Sequence, residues 1–294
     1  MRVFVTGATG FIGLPVVKEL ISAGHSVLGL ARSDAGAKSL VDLGAEVHSG
    51  SLEDVDSLRD GAAATDATIH LAFIHDFSKF KANSEIDRTA IEAIGAVLAG
   101  SDRPLIVTGG LAGLTAPGQI ATEDDVPGPD HPYPRVSEQA AMALLPKGVC
   151  ASVMRLPQVH NTLRQGFVSY AVAVAREKGV SAYVGEGSNR WAAAHVGDVA
   201  RLYRLAIEHN AAGARYHAVG ETGVPVRDIA QAIGRGLKIP VVSLAPEEAA
   251  AHFGFLGSFA GSDLCASSEK TRRTLGWIPT GPGLISDLEN MDYS

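Results

Sequence analysis

Glycines at positions 7, 10 and 13 punctuate the run Thr6-Gly-Ala-Thr-Gly-Phe-Ile-Gly13. An apolar stretch (Val3, Phe4, Val5) leads straight into them, and Val16, Val17, Leu20 and Ile21 follow at helical spacing. A residue without Cβ suits a tight turn at Gly7, lets the backbone approach a pyrophosphate at Gly10, and brings helix close onto strand at Gly13. The opening helix aims unpaired N–H groups and its positive dipole end at an anion. Spacing alone decides little, because the chain has 33 glycines and Gly254, Gly257 and Gly261 form a similar series. The strand before and the helix after turn it into a dinucleotide signal. The expected cradle is Gly7, Thr9, Gly10, Phe11, Ile12 and Gly13.

The next apolar strand, Ser26 to Ala31, runs into Arg32 and Ser33. At this place an acidic side chain accepts from the ribose 2′-hydroxyl of NAD, whereas an arginine accommodates the 2′-phosphate of NADP. Position 31 is Ala, and the Arg32 guanidinium can fork onto phosphate oxygens with Ser33 adding a hydroxyl. The expected cofactor is therefore NADP(H).

Positioning these groups requires a particular layout. Short apolar runs near 2–6, 26–31, 45–48, 68–72, 104–108 and 150–155 alternate with helical patterns near 11–23, 35–43, 80–99 and 136–145. That alternation predicts an α/β fold, a Rossmann-type doubly wound parallel sheet, with a smaller C-terminal substrate lobe. Ligands in such sheets lie beyond the carboxyl ends of the strands. The strand-end residues Gly7, Arg32, Leu52, Ala72, Thr108 and Arg155 are thus candidates. Past 155 the pattern predicts helices near 166–178, 197–209, 226–236 and 268–276, a Gly-rich strand-loop over 180–191 and a strand near 215–218. The expected division is a dinucleotide-binding domain over 1–155, to which 192–218 returns, and a lobe from 156–191 and 219–294.

Composition narrows the class. With 46% apolar and 19% charged residues the chain is neither disordered nor a coiled coil. A net charge of −7 with no Lys/Arg cluster argues against nucleic acid or an anionic membrane as partner. No apolar run approaches the roughly 18 residues of a membrane span. No secretory leader is read at the start, and Cys150 and Cys265 show no paired spacing, so a cytoplasmic protein is expected. Asp, Glu and His are scattered without metal-site spacing.

Over nearly its whole length the chain resembles an extended short-chain dehydrogenase/reductase of the epimerase/dehydratase superfamily. The matching residues are the glycine run; Ile69-His-Leu71-Ala72, where the family lines its cofactor; Arg155-Leu-Pro-Gln-Val-His160-Asn161; His195-Val-Gly-Asp-Val199; and Leu275-Gly-Trp-Ile-Pro279. The resemblance implies Leu71 and Ala72 as cofactor contacts and pairing into a homodimer. It also implies a Tyr-x-x-x-Lys pair, in which the ammonium lowers the phenol pKa so that the Tyr can exchange a proton with substrate oxygen.

That pair is broken here. Four residues after Tyr133 stands Ser137, and aligning Ser137-Glu138 on the family's Ser-Lys instead puts Pro134 at the Tyr position. The accompanying hydroxyl, expected at the end of the fifth strand, falls on Gly110, with Thr108 as the nearest substitute. Proton-donor candidates are Tyr133, Thr108, His131, His160 and Tyr183. Sugar-nucleotide relatives carry Gly-x-Gly-x-Gln-x-Arg before the returning helix; here Gly185-Glu-Gly-Ser-Asn-Arg190-Trp191 places Trp191 where the Arg would be. An indole wall suits a flat or apolar substrate better than a diphosphate. His131, His160 and Trp191 are therefore the expected substrate-pocket residues. The leading expectation is an NADP(H)-dependent reductase or dehydrogenase acting on a small, largely uncharged carbonyl or imine compound. A non-catalytic NADP-binding redox sensor and a sugar-nucleotide epimerase or dehydratase are the alternatives.

Overall fold

The computed structural model describes residues 1–116, 118–128 and 135–294. β1 (Arg2–Thr6) feeds α1 (Gly13–Ser22), and the alternation continues through β2 (Ser26–Ala31), α2 (Asp34–Asp42), β3 (Glu46–Ser49), α3 (Val55–Ala63), β4 (Ala67–His70), α4 (Phe80–Leu98), β5 (Pro104–Gly110), α5 (Ser137–Met142) and β6 (Cys150–Leu156). Then come β7 (Gln158–His160), α6 (Phe167–Lys178), β8 (Ser181–Val184), β9 (Arg190–His195), α7 (Val196–His209), β10 (Arg215–His217), β11 (Glu221–Pro225), α8 (Val226–Leu237) and β12 (Val241–Leu244). The chain closes with α9 (Ala249–Phe253), α10 (Gly257–Ala260), α11 (Glu269–Leu275) and α12 (Leu284–Glu289).

The central sheet has seven parallel strands in the order β10-β6-β5-β4-β1-β2-β3. Its strands are apolar on both faces because helices cover both. Val3, Val5, Ile69, Ile106 and Met154 pack with Val16, Leu20 and Val199 on one face. Phe4, Leu28, Leu105, Val107 and Val153 pack with Leu58, Ile91 and Ile94 on the other. The order reverses between β1 and β4, which opens a crevice at their carboxyl ends. α3 was not legible as a helix: its buried face is Ser57, Leu58, Gly61 and Ala62, too small to show a strong apolar period, and Asp54 caps it by accepting from the Ser57 amide at 3.1 Å.

β7, β9 and β11 make a small sheet, β8 and β12 a two-stranded one, and these pack with α6, α8, α9 and α12 around Val168, Trp191, Ile229, Phe253 and Leu284. β9 pairs with β7 in the small sheet, whereas β10 pairs with β6 in the central sheet and α7 packs on that sheet's face. Arg204 of α7 donates to Glu19 of α1 at 2.8 Å. The buried Trp277 Nε1–H donates to the Asp198 carbonyl at 3.0 Å, fastening the C-terminal tail to α7. No helix among the described residues is long and apolar enough to cross a membrane.

His217 closes β10 as a fully buried imidazole. Its Nε2 accepts from Arg155 at 3.0 Å and its Nδ1–H donates to the Ser267 carbonyl at 2.7 Å. Burial, then the Arg155 charge, lower its pKa from the ordinary 6.5 to about 4. Between those values the unfolded chain binds a proton that the folded one refuses, so stability must fall as pH drops through that window. Urea unfolding at stepped pH should show that loss, with a shallower slope in His217→Gln; an unchanged slope in the variant would clear His217 of responsibility.

Candidate active site

A cavity of about 470 Å³ lies over the carboxyl ends of β1, β2, β4, β5 and β6. Gly7, Thr9, Gly10, Phe11, Ile12 and Gly13 all line it. Gly7 has φ +66°, and a Cβ there would stand 2.8 Å from the Ala72 nitrogen; a Cβ on Gly13 would stand 2.0 Å from the Gly7 oxygen. The turn is closed by Gly10 N–H donating to the Gly7 carbonyl at 2.9 Å, and Leu14 N–H donates to the Gly10 carbonyl at 3.1 Å. No side chain caps α1, and the Phe11 and Ile12 amides have no acceptor among the described residues. Orphan amides at a helix start beside a backbone that tolerates no Cβ fit a diphosphate.

Arg32 lines the same cavity at the end of β2, exposed and without an ion-pair partner among the described residues. The Ser33 hydroxyl caps α2 by accepting from the Gly36 amide at 3.3 Å, which leaves its proton available to donate. Leu52, Leu71 and Ala72 also line the wall.

Beneath the cavity runs a buried polar chain. The Ala72 amide donates to the Thr6 hydroxyl at 3.3 Å, which pairs with His70 Nδ1 at 2.9 Å. His70 Nε2 faces Asp87 at 3.0 Å, and the Ser137 hydroxyl donates to the other Asp87 oxygen at 2.5 Å. Burial alone would push the Asp87 carboxyl up, yet the His70 bond, the field of Arg135 and the Ser137 hydroxyl hold it below the usual carboxylate range. From there Arg135 Nε–H donates to Ser137 at 3.0 Å, and its Nη2–H donates to the Thr108 carbonyl at 3.0 Å. The guanidinium lies 4.4 Å over the Phe73 ring.

Several expected site residues sit elsewhere. Thr108 borders the cavity, but its side chain points to the α7 face: its hydroxyl donates to the His70 carbonyl at 2.8 Å and pairs with the Tyr203 hydroxyl at 2.7 Å. With its one proton engaged, Thr108 cannot serve a substrate as donor. His160 is fully buried away from the cavity, held by Asp287 at 2.6 Å, and burial keeps its pKa below the ordinary value. Trp191 is core of the lobe, 2% exposed, its Nε1–H donating to the Ser262 carbonyl at 3.2 Å; it walls no part of the cavity. Tyr183 lies on β8 under the Arg227 guanidinium. Arg155, although a strand end, is buried among Glu138, His217 and the Thr122 and Asp125 carbonyls. Tyr133 and His131 fall outside the described residues.

Glu138 lines the cavity but spends its charge on two arginines, Arg155 at 2.8 Å and Arg215 at 2.7 Å. Burial alone would raise its pKa, and those guanidiniums hold it down instead.

Sequence reasoning missed much of the substrate end. Phe73, Phe77 and Phe80, from the β4–α4 connection, meet Phe167 and Tyr170 of α6 across the cavity, with Phe77–Phe80, Phe77–Phe167 and Phe77–Tyr170 centroids 5.5, 5.9 and 6.1 Å apart. Phe255 stacks on Phe77 at 4.5 Å. Arg135, Arg164 and His75 also line this end. Arg164 stands 5.9 Å from the Phe11 ring, exposed and without an ion-pair partner among the described residues. Burial, followed by the Arg135 and Arg164 charges, pushes the His75 imidazole below its ordinary pKa. The phenylalanine cluster at 73, 77 and 80 was the available signal, but it has neither strand nor helix period.

The fold and this cradle define a Rossmann oxidoreductase-type protein. The chain belongs to the NAD dependent epimerase/dehydratase family, whose model matches residues 3–220, a family that binds a nicotinamide dinucleotide. It is 47% identical over 296 residues to the uncharacterized protein C2A9.02 of Schizosaccharomyces pombe, covering 100% of both chains. It is 27% identical to the 4-hydroxy-2-methyl-3-oxo-4-farnesyl-3,4-dihydroquinoline-1-oxide ketoreductase of Stigmatella aurantiaca, covering 99% of this chain and 95% of that one. Among solved structures it superposes on the Thermus thermophilus UDP-glucose 4-epimerase complex with NAD with TM-score 0.76 at 18% identity, covering 98% and 97% of the two chains.

Replacing Thr108 by Val should leave the NADPH dissociation constant within about threefold. The same change should lower the unfolding free energy by about 1–3 kcal/mol, because the buried Tyr203 hydroxyl loses its partner. Calorimetric titration and urea unfolding check both, and a collapse of cofactor binding without loss of stability would return the hydroxyl to the cavity.

Proposed function

We propose that this chain is an NADP(H)-dependent oxidoreductase that reduces a small, largely uncharged carbonyl or imine compound with an apolar body. The observation that carries the reading is one continuous cavity joining the diphosphate cradle and Arg32 at one end to the phenylalanine cluster at the other. Bound there, the dinucleotide supplies a hydride. The chain's own residues bind, orient and exclude water. The Phe11 and Ile12 amides and the α1 dipole hold the diphosphate, and Arg32 with Ser33 takes the 2′-phosphate. The backbone at Leu71 and Ala72 would border the bound cofactor. The aromatic cluster keeps the reacting end dry and favours a flat or apolar substrate over a dianionic sugar nucleotide.

The likeness to a ketoreductase along almost the whole chain supports this class. Cys150 and Cys265 are free thiols, which fits the reducing cytoplasm as compartment. A second reading, a redox sensor that binds the cofactor without turnover, is favoured by one observation: Glu138, which one of the two alignments sets on the family's Lys, is a carboxylate spent on Arg155 and Arg215.

Oxidation of NADPH against a panel of ketones, aldehydes, quinones and imines separates the two readings: turnover of any member establishes the reductase. Saturable NADPH binding with no turnover would favour the sensor, and absence of binding would remove both. Arg32→Ala should weaken NADPH about 10- to 100-fold, the loss of charge-assisted bonds to a phosphate, while NADH changes less than about threefold. Equal losses for both cofactors would dismiss the 2′-phosphate assignment.

A further inference from the structure

We infer that Arg135 is the group that receives the substrate's carbonyl oxygen, binding it as negative charge develops there. The inference rests on the reductase reading and adds a specific residue and ligand chemistry to it.

The geometry carries it. Arg135 uses Nε on the Ser137 hydroxyl and Nη2 on the Thr108 carbonyl, while Nη1 has no hydrogen bond among the described residues. Among the described residues no carboxylate pairs with it directly, and Asp87 is reached through Ser137. A half-buried guanidinium without a paired anion among the described residues is costly. Its stacking on Phe73 at 4.4 Å recovers part of that cost, and an incoming anion would recover the rest. Burial lowers its pKa and the Asp87 charge opposes that; a guanidinium is a cation at every physiological pH by its own chemistry.

Its place in the fold is equally specific. The cradle sits over β1 and Arg32 over β2, so a dinucleotide extended across the strand order β2-β1-β4-β5 puts its other half over β4 and β5. Arg135 is bonded to the Thr108 carbonyl near the carboxyl end of β5, and the aromatic cluster begins at Phe73, the ring on which it stacks. A planar aryl carbonyl lying among those rings would present its oxygen to Nη1. In the reduction the carbonyl carbon gains the hydride and its C=O π pair moves to oxygen, leaving an alkoxide. NADPH becomes NADP⁺, and the alkoxide takes its proton from water, which is left as hydroxide, as the product passes out to solvent. Holding the oxyanion with a fixed cation is the electrostatic form of catalysis and demands no titratable donor from Arg135.

Benzoate mimics that oxyanion on an aromatic body, and benzamide is its neutral counterpart. Calorimetric titration of the NADP⁺-loaded protein should find benzoate about 10- to 100-fold tighter than benzamide. Arg135→Met should erase that difference, with NADPH affinity within about threefold of wild type, and Arg135→Lys should restore part of it. Arg164→Met should leave benzoate within about threefold.

Four results would overturn the assignment: no preference for benzoate in the wild type, undiminished benzoate binding in Arg135→Met, loss of NADPH affinity in that variant, or transfer of the effect to Arg164. Wild-type NADPH binding and turnover test the reductase reading itself, so the two can fail separately.

Discussion

A backbone contact governs the site. Gly7 adopts a left-handed conformation against Ala72, and Gly13 begins α1 so close to the Gly7 carbonyl that no side chain fits between them. The left-handed turn costs an ordinary residue about 1–2 kcal/mol, before any clash is counted. Two separate segments, the β1–α1 turn and the end of β4, are thereby brought within a van der Waals contact at the point where the strand order reverses. The cradle's amides, the crevice and the path of any bound dinucleotide follow from that contact.

The polar chain below performs a second task. Thr6 on β1, His70 on β4, Asp87 on α4, and Ser137 with Arg135 at the start of α5 belong to elements distant in sequence, yet each hydrogen-bonds the next. In a low-dielectric interior a satisfied network is rigid, because breaking any link strands a buried polar group. That network sets where the guanidinium stands relative to the cradle. Arg155, Glu138, Arg215 and His217 form a separate cluster that ties α5 to β6 and β10.

The two halves of the molecule differ in how readable they are. In the first half the strands are continuously apolar, the helices amphipathic and the turns glycine-marked, so β1 to β6 and most of their helices follow from periodicity; α3, with its small buried face, escapes. In the lobe the helices α9, α10 and α12 are short, and their apolar residues serve a core assembled from four directions rather than one face. The same reason misdirects Trp191 and His160. Trp191 stands where the sugar-nucleotide relatives carry their Arg and His160 in the loop that matches the family after β6, and nothing local reveals that Ser262 and Asp287, 71 and 127 residues away, claim them.

What the linear chain determined by itself is the dinucleotide cradle, its arginine at the end of β2 and the parallel sheet beneath, because these depend on glycine conformation and on side-chain period, both properties of contiguous residues. What only the tertiary structure decided is the reacting end. Whether Thr108 faces the cavity or α7, whether Glu138 is free or spent on two arginines, and whether Arg135 meets a carboxylate or an aromatic ring depend on contacts between segments that sequence spacing does not order. Hydrogen-bond partners and burial are settled by packing, and packing joins residues that no local pattern connects.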